Sequence, residues 1–201
     1  MRITFASEGI IDRAVIERLI LAFGCEPGPA HGGRGKGLLD SRIDGYNAAA
    51  LHEPWVVFRD LDEDAPCAPE LRRRILPDPS QMMCFRVVVR EIESWLLGDI
   101  EGIREQFKIR NKVALGEVDQ IANPKRTLLD QFSTSRDADI RRAMVLVSRD
   151  GAVAEGPLYN ANISEFVHRR WNIARACNRS ESLRRAYERI KELSTSITRR
   201  R

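Results

Sequence analysis

WVVFRDLDEDAP, residues 55–66, changes character at its midpoint. Its first part is apolar without a break, and its second part carries Asp60, Asp62, Glu63 and Asp64. A strand with no polar gap marks a parallel strand buried on both faces, because helices cover each side of such a sheet. Carboxylates crowded after it repel one another unless water or a cation intervenes. The stretch therefore predicts a central parallel strand that ends in an acidic site.

The flanking segments fit that strand. RITFA at 2–6 reads as a short first strand, and a helix follows from Asp12, its cap, to Phe23. Residues 24–41 contain six Gly and two Pro, so any second strand there is short or irregular. GGRGKG at 32–37 reads as a flexible basic loop. It is not a Walker A loop, since Gly37 stands where that motif needs a hydroxyl. Helices are predicted over 42–51 and 66–76, and MMCFRVVV at 82–89 reads as the next strand. REIESWLL then turns helical, as do 100–108, 124–132 (opening after Asn123), 137–147, the stretch around 163–171 and 183–193, the last capped by Ser180. Residues 194–201 are expected to fray.

This order predicts an α/β fold: a small, mostly parallel, Rossmann-like sheet flanked by helices, with a helical C-terminal part. The expected division is a core over 1–99 and a mainly helical extension over 100–201. Residues 160–201 hold eleven basic and four acidic side chains, whereas 1–159 are slightly acidic. A basic end of that kind suits a polyanion. The four Cys show no CxxC spacing and no disulfide framework, which fits a reducing cytosol and excludes a zinc ribbon. No signal-like start and no 18-residue apolar run are visible, so a cytoplasmic protein without a membrane span is expected.

Three segments place carboxylates after apolar strands: Glu8, then Asp60 and Asp62, then Glu91 and Glu93. Alternation in an extended chain would point Asp60 and Asp62 the same way. Such a pair suits a hard cation, Mg2+ or Mn2+, although partial protonation or strong solvation would also relieve the repulsion. Glu63 and Asp64 suit the first turn of the following helix, and Glu91 reads as peripheral.

SEGIIDRAVIERL, VVFRDLDED and VVVREIESWLLGD, in this order, resemble a Toprim-type catalytic domain. NPKRTLLDQFSTS, GPLYNANISEFV and SESLRRAYERI extend the resemblance, from residue 3 to about 193, to uncharacterised bacterial relatives of the overcoming-lysogenization-defect class nucleases. The resemblance implies a Toprim sheet, a divalent-metal site and nucleic-acid cleavage, of the sort found in bacterial defence systems. It assigns Glu8 to the Toprim glutamate, Asp60 and Asp62 to its DxD pair, and Glu93 to the later acidic residue. It makes Lys125 the basic residue near the scissile phosphate. Two departures stand out: this sequence holds no large ATPase domain and no module with a nucleophilic Tyr. Those departures fit either a remnant or one half of a two-protein system with a separate ATPase partner.

The expected chemistry is metal-assisted phosphodiester hydrolysis, with Glu8, Asp60, Asp62 and Glu93 around one or two ions. Lys125 and Arg126 would neutralise charge on the phosphoryl oxygens, and Arg34 and Lys36 would contact backbone phosphates. No base-reading motif is visible. The alternatives are a non-catalytic nucleic-acid-binding or assembly subunit, and another metal-dependent phosphoryl-transfer enzyme. Trp95, Tyr159, Trp171 and Tyr187 read as packing residues. Oligomerisation is open.

Overall fold

The computed structural model describes residues 1–110, 115–149 and 151–198. They divide into two compact units, Met1–Val89 with Ser182–Arg201, and Arg90–Glu181. This division differs from a boundary after residue 99. The chain leaves the sheet after Val89, and the terminal helix packs with the sheet unit.

The first unit contains β1 (Arg2–Ser7), α1 (Ile10–Leu21), β2 (Glu26–Gly32), α2 (Lys36–Ser41), α3 (Ile43–Ala49), β3 (Trp55–Asp60), α4 (Ala68–Ile75) and β4 (Met83–Val88). Its four strands lie in the order β2-β1-β3-β4 and all pair in parallel. The protein is thus α/β, with an all-parallel four-stranded sheet flanked by helices. On one face Ala6, Trp55, Val57, Phe85 and Val87 pack with Leu39, Ile43, Tyr46 and Leu71 of α2, α3 and α4. Ile3, Phe5, Val56, Phe58, Cys84 and Val88 alternate to the other side and are also buried. The turn after α1 meets the terminal helix through Phe23 and Tyr187, with ring centroids 4.6 Å apart.

Several local readings change. Helix α1 starts two residues before Asp12, behind Gly9, so Asp12 lies buried in its first turn and is not its cap. Strand β2 is seven residues long, and its pairing with β1 shifts register between Ile3 and Phe5. Its Pro27 and Pro29 are tolerated because β2 is an outer strand of the sheet.

The second unit is mainly helical: α5 (Ile92–Leu97), α6 (Ile100–Gln106), a 3-10 turn (Val118–Gln120), α7 (Pro124–Ser133), α8 (Ala138–Met144), α9 (Tyr159–Arg169) and α10 (Ile173–Cys177). Asn123 caps α7, accepting from the Arg126 N–H at 2.9 Å. The helix expected over 137–147 ends at Met144. Residues Val145–Val147 instead form β5, antiparallel to β6 (Val153–Glu155). Tyr159, Phe166 and Trp171 are buried, as packing residues should be. The last helix, α11 (Glu181–Thr198), continues through most of the segment expected to fray. The Arg tail at 199–201 lies outside the described residues. No helix among the described residues is long and apolar enough to cross a membrane.

Candidate functional site

In a parallel sheet ordered 2-1-3-4 the connections diverge between β1 and β3. Ligands of open α/β sheets bind outside the strand C-termini at such a switch point. Here β1 runs into Glu8, and β3 ends at Asp60. The Asp60 N–H donates to Glu8 Oε1 at 2.9 Å, so the two strand ends are joined directly. The expected meeting of Glu8 with the aspartate segment is therefore present.

Asp62 departs from its expected orientation. The strand stops at Asp60, the Asp64 N–H donates to Leu61 O at 3.1 Å, and Asp62 has φ +48°. Asp60 and Asp62 are thus separated by a turn, and strand alternation does not align them. Asp64 does not serve the next helix, whose N-cap is Cys67. Its carboxylate accepts from Arg59 Nη2 at 2.5 Å and from Lys36 Nζ at 2.9 Å.

Arg59 is the centre of the cluster. Its guanidinium is 3% exposed and stands 3.5 Å from Glu8, 3.2 Å from Asp40, 2.5 Å from Asp64 and 3.9 Å from Asp62. It also donates to the carbonyl of Asp60. Burial opposes its charge, but hydrogen bonds to Asp40 and Asp64 and the Glu8 charge outweigh burial, so its pKa lies above the ordinary value. Lys36 Nζ bridges Asp62 and Asp64 at 2.8 and 2.9 Å. Those two carboxylates hold the ammonium more firmly protonated than usual. The glycine loop delivers Lys36 to this place. Gly33 N–H donates to Ser7 O at 2.8 Å and Gly35 N–H to Glu8 O at 3.1 Å, so the loop is pinned along the end of β1. Lys36 thus belongs to the acidic site, while Arg34 is exposed in the loop beside it.

Four carboxylates, from Glu8, Asp40, Asp62 and Asp64, accordingly meet two cationic side chains, and Asp60 joins them through its backbone. Glu8 reflects the imbalance: burial first, and then the charges of Asp12 and Asp62, push it up to about 7 against the lowering effects of the Asp60 N–H and Arg59. An all-oxygen, net-negative donor set is what a hard divalent cation requires. As they stand, no three acidic, His or Cys side chains among the described residues are grouped to hold a metal. Lys36 and Arg59 take up the interior of the cluster. The donor chemistry fits Mg2+ or Mn2+, provided Lys36 is displaced.

Glu93 and Lys125 meet in the second unit. Lys125 Nζ lies 3.3 Å from Glu93 and 3.1 Å from Glu155, and the Tyr159 hydroxyl donates to Glu93 at 3.3 Å. Glu93 is 2% exposed. Burial works against the Lys125 charge, but Glu93 and Glu155 more than offset it and raise its pKa. Burial, then the same two carboxylates, raises Tyr159 far above the usual phenol range. Glu91, read as peripheral, accepts from the Lys125 backbone N–H at 3.2 Å and steadies the start of α7. Arg126 instead pairs with Asp130 one turn on, at 2.9 Å.

Asp40, Arg59, Glu155 and Tyr159 were not legible as site residues. Asp40 carried a weak signal, since it stands one helical turn after Lys36. Arg59 looked like a strand end, and nothing local marks Glu155.

Fold and site together define an α/β protein with a carboxylate cluster at the switch point of a parallel sheet. No family model, curated protein or solved structure matches the chain.

Proposed function

We propose that the chain is a Toprim-like, Mg2+- or Mn2+-dependent nuclease or phosphodiester hydrolase, working at the strand ends that carry Glu8 and Asp60. One observation carries this reading. Four carboxylates converge on two cations at the switch point, beside Asp60, and the half-buried Glu8 carboxyl there is pushed up to about 7.

Glu8, Asp60 and Asp62 would hold the ion, with Asp64 and Asp40 balancing Arg59. When bound, the cation supplies an activated water and charge neutralisation at the phosphate. Arg59 fixes the Glu8, Asp40 and Asp64 carboxylates in place, because each accepts from or pairs with a guanidinium that cannot lose its proton. Lys36 is well placed to exchange its carboxylate partners for a phosphate oxygen, since its ammonium is 43% exposed and it opens α2 directly after the glycine loop. Within the second unit, Lys125 is charged beside Glu93 and Glu155, Glu93 with Tyr159 positions it, and its ammonium suits a phosphate oxygen.

The test is a divalent-metal screen on supercoiled, linear and single-stranded DNA and on RNA. The parent should cleave at least one substrate in Mg2+ or Mn2+, and Asp62→Asn should abolish that cleavage without loss of fold. Equal cleavage by both would remove Asp62 from the chemistry. Lys125→Ala should lower kcat more than it raises KM. Binding without turnover in every metal would favour the alternative of a nucleic-acid-binding subunit with a separate ATPase partner.

A further inference from the structure

The last side chain of β2 before the glycine loop is His31. It pairs with Ala6 of β1, and residues so paired point to one face of the sheet. Ala6 belongs to the face that α2 and α3 cover, together with Tyr46 and Trp55. Because Ala6 offers only a methyl group, the His31 ring reaches across it onto two larger rings. Its centroid lies 5.1 Å from that of Trp55 and 6.0 Å from that of Tyr46, and those two stack 5.0 Å apart. Such separations are those of attracting aromatic pairs. Trp55 and Tyr46 are buried, whereas His31 is exposed. Tyr46 Oη and Trp55 Nε1 are enclosed and have no hydrogen-bond partner among the described residues. The three rings therefore hold one another by ring contact, and His31 is the one that a ligand can reach.

An exposed ring braced from behind by two others loses little freedom when a flat ligand settles on it. The place of this ring says which ligand. The Ser7–Gly32 pair follows the Ala6–His31 pair, and Glu8 comes next in the chain. At about 3.3 Å per residue and about 4.8 Å between strands, roughly 8 Å separates His31 from the Glu8 backbone, so one strand of nucleic acid reaches both. Cations stand beside the ring: Arg34 is exposed three residues on, and the Lys36 ammonium is 43% exposed. An aromatic platform next to cations that track the backbone is how single strands are held. Inside a duplex each base face is covered by a neighbouring base, so a protein ring stacks on bases that are unpaired. We infer that His31 is a base-stacking residue and that the site takes single-stranded nucleic acid. This rests on the nuclease reading above and names its substrate class.

The experiment uses the full chain in EDTA, so that cleavage does not enter. Fluorescence anisotropy measures binding of a short labelled single-stranded DNA, of an abasic strand of the same length and of the matching duplex, from about 50 to 200 mM salt. The parent should bind the normal strand at least about fivefold more tightly than the abasic one, the gain expected from one stacked base. His31→Ala should lose that preference and bind the abasic strand and the duplex as the parent does. His31→Phe keeps a ring on Trp55 and Tyr46 and should keep the preference. The slope of log K against log salt should be the same for all three proteins, because no phosphate contact is removed. A parent that binds normal and abasic strands alike, or His31→Ala with the parent's preference, would overturn the inference and leave the nuclease reading standing. Loss of the preference in His31→Phe as well would overturn stacking in favour of a polar contact from the imidazole. Duplex binding that depends on His31 as strongly would overturn the single-strand assignment. A parent that binds no strand at all would overturn both the inference and the reading beneath it.

Discussion

Glu8 is where the chemistry of the site is most exposed to measurement. Its pKa lies near 7 in the folded chain, against 4.5 for an ordinary glutamate, with burial the largest cause. Between these values the folded state binds more protons than the unfolded state, so stability falls as pH rises from about 4.5 to 7 and is flat above. Glu8→Gln keeps an acceptor for the Asp60 N–H and removes the titration. Its stability, from urea unfolding in EDTA, should lose that decline and exceed the parent's at pH 8 by about 1–2 kcal/mol. A variant that follows the parent's pH curve would show Glu8 to be an ordinary solvated carboxylate. Arg59 predicts the opposite sign. Its buried guanidinium is the shared partner of four carboxylates, and Arg59→Met leaves them facing one another. Unfolding should cost about 3 kcal/mol less, within the range for breaking a buried pair. Mg2+ should restore part of that loss, because it replaces the missing charge. Asp62 marks the limit of reading a residue from its neighbours. The spacing DxD implies a shared direction only if the strand continues, and a φ of +48° ends it.

Elements were legible in proportion to how much of their surface is buried. WVVF announced β3 because a strand covered on both faces is apolar throughout, and MCFRVV announced β4 for the same reason. EPGPAHG gave no such sign, since β2 is an outer strand whose residues are mostly half-buried or exposed. The run RRAMVLV continued a helical pattern, and only pairing across to Val153–Glu155 makes its end a strand. The loop read over 32–37 is shorter in the structure, where Gly32 ends β2 and Lys36 opens α2, and sequence held nothing to say that it docks on β1. Gly32 is the hinge of that docking. It has φ +83°, and a Cβ there would come within 2.2 Å of Ser7 O. Gly32→Ala should therefore destabilise the fold by about 2 kcal/mol or more and release Lys36 from Asp62 and Asp64. Chemical denaturation and trypsin cleavage after Lys36 check the two parts. Parent-like stability with an equally protected Lys36 would contradict the docking.

Across the whole molecule, the carboxylates of the sheet unit gather where β1 and β3 end. The α/β class and the parallel sheet were legible, because alternating strands and helices admit few other arrangements. The division of the chain was not, because a terminal helix that packs with the first strands leaves no mark in local composition. The central claim is that the acidic strand ends take up a divalent cation. Isothermal titration calorimetry of Mg2+ and Mn2+ into the parent and into Asp60→Asn/Asp62→Asn, near pH 7 in two buffers of different ionisation enthalpy, tests it most directly. The account predicts saturable binding by the parent, with protons released from Glu8 as the cation enters, and none by the double variant. No heat of binding from the parent, or the same isotherm from both proteins, would contradict it.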